Sequence, residues 1–311
     1  MRESKYNPPQ NRLPEGLEPP LIEAALTASG YPTQSVAASI LSSDFSVVEE
    51  WGFTDKDTGD SRSLDIFAFH AFEGSAVKPG LFLLVECKRS TSPLIFFKAA
   101  TQRDVTHFPL IVGGVSPAAF ITSPSGSMYR PLSEILGLHR LPFSNVVPAC
   151  TGVAKAVRKG KELDLTGTEM FNATVRPLCG ALDYGLAFYK LPTAQEVVYP
   201  RVALAVAVVD APMLLADYPT PDESLELTPW IRIFRQVARR SNSGDRPETL
   251  HYCVDFVHLH FLSEFMKAAI IFAETFADRS AQRPYLFTKA AASAPTLGQF
   301  SWTDIKEPPA R

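Results

Sequence analysis

The sequence predicts a mixed α/β protein, and three observations predict it. Short runs of β-branched and aromatic residues recur along the chain, parted by Gly, Pro and acidic turns. One run, Val202–Val209, is apolar throughout, as a strand covered on both faces must be. A third stretch, Leu262–Phe276, carries its apolar residues at helical spacing.

In chain order, Leu21–Ala28 reads as a short helix ended by Gly30 and Pro32. Ser35–Leu41, small and apolar, suits a further helical turn. Phe45–Phe53 alternates as a strand does. Asp55-Lys56-Asp57-Thr58-Gly59-Asp60 is turn chemistry, because acidic side chains cap their own backbone and glycine takes a positive φ. Ser63–Phe72 then makes a second strand, and the pair reads as a hairpin. After a turn at Lys78-Pro79-Gly80, Leu81–Lys88 is a strongly apolar third strand. Pro93 suits the first turn of a helix, which predicts one over Leu94–Thr101. Leu110–Val115 and Ala118–Thr122 read as short strands divided by Ser116-Pro117. Asn172–Lys190 is partly helical, interrupted by Pro177 and two glycines. Arg201–Leu215 contains the apolar strand Val202–Val209. Trp230–Val237 fits a strand or a helix, which a short apolar run does not distinguish. Tyr252–His258 reads as a strand. No internal repeat is visible.

Pro219–Ser224 and Arg240–Arg246 read as surface loops too short to demand a domain boundary. One domain over residues 20–305 is therefore expected, with a core at about 20–125 and an extension at about 126–305. The Pro-rich, polar ends, 1–19 and 306–311, are expected to be flexible.

A net charge of −3 does not advertise affinity for a polyanion, so nucleic acid would have to be held by local basic patches. Two patches stand out: Lys155, Arg158, Lys159 and Lys161, then Arg232, Arg235, Arg239 and Arg240. The plain alternative for each is a solvated face. Cys87, Cys150, Cys179 and Cys253 show no CxxC spacing and suit free thiols in a reducing cytoplasm. No signal-peptide pattern is present, and Val202–Val209 is too short to cross a bilayer, so a cytoplasmic protein with no membrane partner is expected.

The chemistry concentrates in Asp65-Ile66-Phe67-Ala68-Phe69 and Leu81-Phe82-Leu83-Leu84-Val85-Glu86-Cys87-Lys88. Strand side chains alternate, so Glu86 and Lys88 share one face while Val85 and Cys87 share the other. An acid and a base ending an apolar strand are costly to bury without partners. Asp65, on a neighbouring strand, can bring a second carboxylate, and two converging carboxylates repel unless a cation lies between them. The plain alternative is an ion pair between Glu86 and Lys88, with Asp65 at the surface.

An acid on one strand of a hairpin, then an acid-x-lysine triplet on the next, resembles the PD-(D/E)xK nuclease superfamily, with Asp65 and Glu86-Cys87-Lys88 as the matching residues. Leu64 stands where the motif's name has proline. The resemblance covers about residues 20–105. It implies a restriction-endonuclease-like mixed central sheet flanked by helices, with an elaborated C-terminal half. It also implies Mg²⁺ (or Mn²⁺) held by Asp65, Glu86 and the Cys87 carbonyl, with Lys88 positioning the nucleophilic water. A further glutamate on the first helix is implied, for which Glu23 is the candidate, with Glu49 and Glu50 as rivals on the first strand. A glutamine after the lysine makes Gln102 a candidate; its usual companion tyrosine is replaced by Thr106. The implied activity is endonucleolytic hydrolysis of DNA, in restriction or defence, by a homodimer or a multi-protein defence complex. The alternative is a silent member of the fold that binds nucleic acid or protein.

Other constellations are weaker. His258 and His260 would share a strand face, but no third ligand stands near in sequence, and structural roles are expected. Asp210, ending the apolar strand, lies where α/β proteins often place functional groups, though a plain strand-end residue is the better reading. Cys87 should face the core rather than act as a nucleophile.

Overall fold

The computed structural model describes residues 4–56, 58–73, 77–100, 108–113, 118–123, 126–145, 147–188, 199–217, 225–240 and 247–287. Gln102, Thr106, the Pro219–Ser224 loop and the C-terminal tail fall outside these residues.

Two helices, α1 (Pro19–Ala28) and α2 (Tyr31–Leu41), precede three antiparallel strands, β1 (Ser46–Thr54), β2 (Ser61–Ala71) and β3 (Gly80–Arg89). The acidic turn between β1 and β2 closes as its composition requires, with the Asp55 carboxylate accepting the N–H of Thr58 at 3.3 Å and its carbonyl that of Gly59 at 2.7 Å. Next come β4 (Leu94–Lys98), β5 (Leu110–Val112) and a separate hairpin of β6 (Ala118–Ser123) and β7 (Gly126–Pro131). Two single-turn helices, α3 (Leu132–Ile135) and α4 (Pro142–Asn145), lead into the hairpin of β8 (Ala149–Lys159) and β9 (Glu162–Thr166). A short helix, α5 (Thr168–Met170), runs through a π turn into α6 (Arg176–Phe188). The chain then forms β10 (Arg201–Asp210), β11 (Met213–Ala216), β12 (Leu225–Leu227), β13 (Trp230–Arg240), β14 (Pro247–His258) and the long helix α7 (Leu262–Gln282).

The large sheet is mixed, in the order β1-β2-β3-β10-β14-β13-β8-β4-β11-β12, with β5 beside β10 and β9 beside β8. Strands β3, β10 and β14 are parallel, and β10 lies centrally, which accounts for its unbroken apolar sequence. One face packs on α2 and α7, where Ala37, Leu41, Phe265, Phe272 and Phe276 meet Ile66, Val85, Val206 and Val208. The other packs on α6 and on the folded-over half of the sheet. There Leu178 and Leu182 meet Leu84 and Val209, and Phe96 of β4 sits edge-on to Phe256 of β14 at 5.0 Å.

The expected helix over Leu94–Thr101 is instead strand β4, parallel to β11 and antiparallel to β8. Leu94 and Phe96 are buried while Ile95 and Phe97 are less so, a two-residue alternation that outweighs Pro93 as a helix signal. Trp230–Val237 resolves to strand, paired along its length with β14. No helix among the described residues is long and apolar enough to cross a membrane.

Candidate active site

The hairpin partners β2 and β3 part company where the charged residues begin. Their ladder runs from Ala71–Gly80 to Ile66–Val85, after which β3 keeps β10 as its partner, from Glu86–Ala207 to Arg89–Asp210, while β2 keeps β1. In that fork the Asp65 carboxylate accepts the N–H of Cys87 at 2.6 Å, supplying the bond the ladder no longer makes. The Glu86 carboxylate pairs with Lys88 Nζ, also at 2.6 Å. Val85 and Cys87 face the α2–α7 core and Phe82 and Leu84 the other, so Glu86 and Lys88 share a face as strand alternation requires.

Glu86 is 8% exposed, and Asp65 is half-buried. Burial pushes Glu86 up to about 7; Lys88 opposes this, and the charges of Asp65 and Glu50 add to it. Asp65 is raised as well, chiefly by burial and against the Cys87 hydrogen bond. The ion pair of the plain alternative is present. Asp65, however, is turned inward to the Glu86-Cys87-Lys88 backbone rather than lying on the surface.

Two further residues, Gln34 and Glu50, stand beside Asp65. Gln34 of α2 donates through Nε2 to Glu50 Oε1 at 3.0 Å and to the Asp65 carbonyl at 3.2 Å. Glu50 stands opposite Asp65, between the pairs Glu49–Ile66 and Trp51–Leu64, and has φ +51° in the middle of β1. The strands flip faces at this point. Ile66 packs into the α2–α7 core and Leu64 into the opposite one, as do Val47 and Trp51 respectively, although regular alternation would put each pair on one face. A left-handed conformation costs a non-glycine residue about 1–2 kcal/mol, and such strain collects at functional sites.

Glu23 is exposed on α1, a helix with no buried residue, and takes no part in the interactions described for Asp65 and Glu86. Position 50, the rival on β1, is the one whose charge reaches both. The signal for Gln34 is its helical spacing with Ala37, Ala38 and Leu41, which together with Thr33 make the buried face of α2. Glu50 was legible only as one of the two adjacent glutamates that rival Glu23.

The basic patches divide. Lys155 is half-buried, and Arg158, Lys159 and Lys161 are exposed on the β8–β9 hairpin. Arg232 is not available to a polyanion. It is 1% exposed, paired with Asp255 at 2.8 Å, bonded to the carbonyls of Phe143 and Ser144, and stacked on Phe108 at 3.8 Å. Arg235 is half-buried against the Phe171 ring, and the side chain of Arg239 lies outside the described part. Asp210 pairs with Arg89 at 3.3 Å, and His258 Nδ1 accepts the N–H of His260 at 3.2 Å where a helical turn begins. Cys87 is a buried core thiol.

Among the described residues, no group of three or more His, Cys, Asp or Glu side chains is gathered to ligate one metal ion. Asp65 and Glu86 offer two carboxylates, a donor number that suits Mg²⁺, which keeps several waters and uses few protein ligands. No family model, no curated protein and no solved structure matches the chain.

Proposed function

We propose that this protein is a divalent-cation-dependent nuclease with a restriction-endonuclease-like core, hydrolysing phosphodiester bonds in DNA at Asp65, Glu86 and Lys88. The observation that carries the reading is the fork between β2 and β3. It brings an aspartate on one strand to the backbone of an acid-x-lysine triplet on the next, with the Asp65 carboxylate 2.6 Å from the Cys87 nitrogen. An acid beside the acid-x-lysine triplet supports the PD-(D/E)xK reading.

Asp65 and Glu86 would hold Mg²⁺ or Mn²⁺, joined by the Cys87 carbonyl. The chemistry such an ion would supply is polarisation of the scissile phosphodiester and a lowered pKa for water. Two withdrawn carboxylates with raised proton affinity, balanced by a single lysine, are the electrostatic condition that a cation relieves. Lys88, beside Glu86, would position the attacking water and stabilise charge developing on the phosphate. Lys155, Arg158, Lys159 and Lys161 on the β8–β9 hairpin supply positive charge for the backbone of the nucleic acid. A role in restriction or defence, alone or in a complex, rests on analogy with the superfamily.

The second reading is a catalytically silent member of the same fold acting as a binding module. It is favoured by the Glu86–Lys88 ion pair, which already gives the carboxylate a cation. Cleavage of plasmid and single-stranded DNA with Mg²⁺ or Mn²⁺ separates the two. Cutting by the wild type that both Asp65→Ala and Lys88→Ala abolish, with circular dichroism unchanged, supports the nuclease. Cutting that survives both substitutions sinks it.

A further inference from the structure

We propose that the protein self-associates as a weak dimer through the outer face of the folded-over half of its sheet, a second copy covering the apolar side chains of β4, β9, β11 and β12. The face carries none of Asp65, Glu86 and Lys88, so the inference stands whether or not the fork holds a cation.

This half is built in the strand order β9-β8-β4-β11-β12, with Lys155 pairing Thr166 on one side of β8 and Leu94 on the other. Alternation sends Leu94, Phe96, Val153, Met213 and Leu215 inward to the core shared with α6, so Ile95, Phe97 and Leu214 look outward. Register then aligns one apolar surface, because directly opposed residues share a face. Ile95 stands beside Leu214, and Leu214 beside Leu227. Phe97 stands beside Ala216, and Ala216 beside Leu225. Along β8 the same face carries Ala154 beside Ile95, then Ala156 beside Leu165 and Arg158 beside Leu163. None of these side chains belongs to either apolar core, and Leu163 and Leu227 are each 71% exposed. A continuous apolar surface across several strands marks a contact site, whereas leucines exposed singly do not.

Charge and size decide what covers it. Arg158, at the hairpin tip, is the one charged residue in these rows, while Lys155 and Lys159 alternate to the opposite face of the hairpin. A polyanion has little to hold here. An isologous pair sets a surface against itself, which a charged patch resists by like-charge repulsion and an uncharged sheet face does not. Sheets also pack face to face in ordinary sandwiches. With strands about 4.8 Å apart and outward residues about 6.8 Å apart, the face covers about 400 Å² in projection. Two copies would bury about 800 Å² or somewhat more, short of the area of stable complexes, so dissociation in the micromolar range is expected.

Sedimentation velocity of the whole protein from about 1 to about 200 µM tests this, a range that brackets micromolar dissociation. The wild type is compared with Leu165→Lys, Leu227→Lys and, as a control on α1, Leu26→Lys, with melting temperature recorded for each. All three leucines are exposed, so the melting temperatures should agree. The wild type should dimerise as concentration rises. Leu165→Lys and Leu227→Lys should each weaken the dimer about tenfold or more, because each places an unpaired charge in the contact. Leu26→Lys should behave as the wild type does. Hydrogen exchange of the wild type should slow in Leu94–Lys98 at the higher concentrations. A wild type that stays monomeric throughout overturns the proposal, including one whose Leu165 and Leu227 instead bind vesicles of phosphatidylcholine and phosphatidylserine. A dimer that survives both substitutions, or that only Leu26→Lys disrupts, overturns it too.

Discussion

The Asp65 carboxylate holds the backbone N–H of Cys87 at 2.6 Å across the opening between β2 and β3, and this one bond links the fold to the candidate chemistry. It satisfies a backbone donor where the hairpin ladder has ended. It also turns a carboxylate that could point to water onto the backbone of the Glu86-Cys87-Lys88 triplet. Removing it should therefore disturb local structure and electrostatics together, and the expected outcomes are separable.

Asp65→Asn keeps the shape and an acceptor for the Cys87 N–H but removes the charge. Its melting temperature should stay near that of the wild type while DNA cutting falls by about 10²-fold or more. Asp65→Ala should lose activity equally and about 1–3 kcal/mol of stability as well, because the buried N–H is left without its partner. Urea denaturation beside a plasmid-cleavage assay distinguishes the two.

Glu86 sets a pH dependence. Its folded-state value of about 7 lies above the ordinary 4.5, so the folded protein binds this proton more tightly than the unfolded chain. Its contribution to stability is fully present below about pH 4.5 and is lost as the pH rises through about 7. In metal-free buffer the wild type should lose melting temperature between about pH 5 and about pH 8, and Glu86→Gln should lose less. Equal pH profiles for the two proteins would sink the assignment.

The kink at Glu50 predicts an inequality between neighbours. A glycine in an ordinary strand position costs about 0.5–1 kcal/mol, which Glu49→Gly should show. Glu50→Gly should cost less or be neutral, because the left-handed backbone is free to glycine. Chemical denaturation of both variants checks this, and an equal loss would argue against the strained conformation.

Arg232 is structural, and its substitution should be read as such. Arg232→Ala leaves Asp255, itself fully buried, without its countercharge, at a cost of about 3–5 kcal/mol. Arg158→Ala and Lys159→Ala, on the exposed hairpin, should leave stability within about 0.5 kcal/mol. They should weaken DNA binding and flatten its salt dependence, measured by fluorescence anisotropy across a salt series.

Which parts of this were legible in the chain follows from the range of the forces involved. Alternation is local, so the common face of Glu86 and Lys88, the inward turn of Cys87, the β1–β2 hairpin and the buried strand β10 could all be read from neighbouring residues. Helix α7 was equally plain in its spacing. Strand β4 was not, because Leu94-Ile95-Phe96-Phe97 suits helix and strand alike until β8 and β11 offer it backbone partners. Long-range pairing decided three further matters. Arg232 looked like one cation of an exposed patch until Asp255 came beside it from the next strand. Gln34 was a polar residue on a buried stripe with no visible acceptor until α2 docked on β1 and β2. Glu50 was one of two adjacent glutamates until cross-strand register set it opposite Asp65 and the kink gave it a left-handed backbone. The sequence by itself determined which side chains share a face, since that depends on bonds a few residues apart. Which carboxylates meet depends on strand register and on where a ladder ends, and only the assembled sheet settles that.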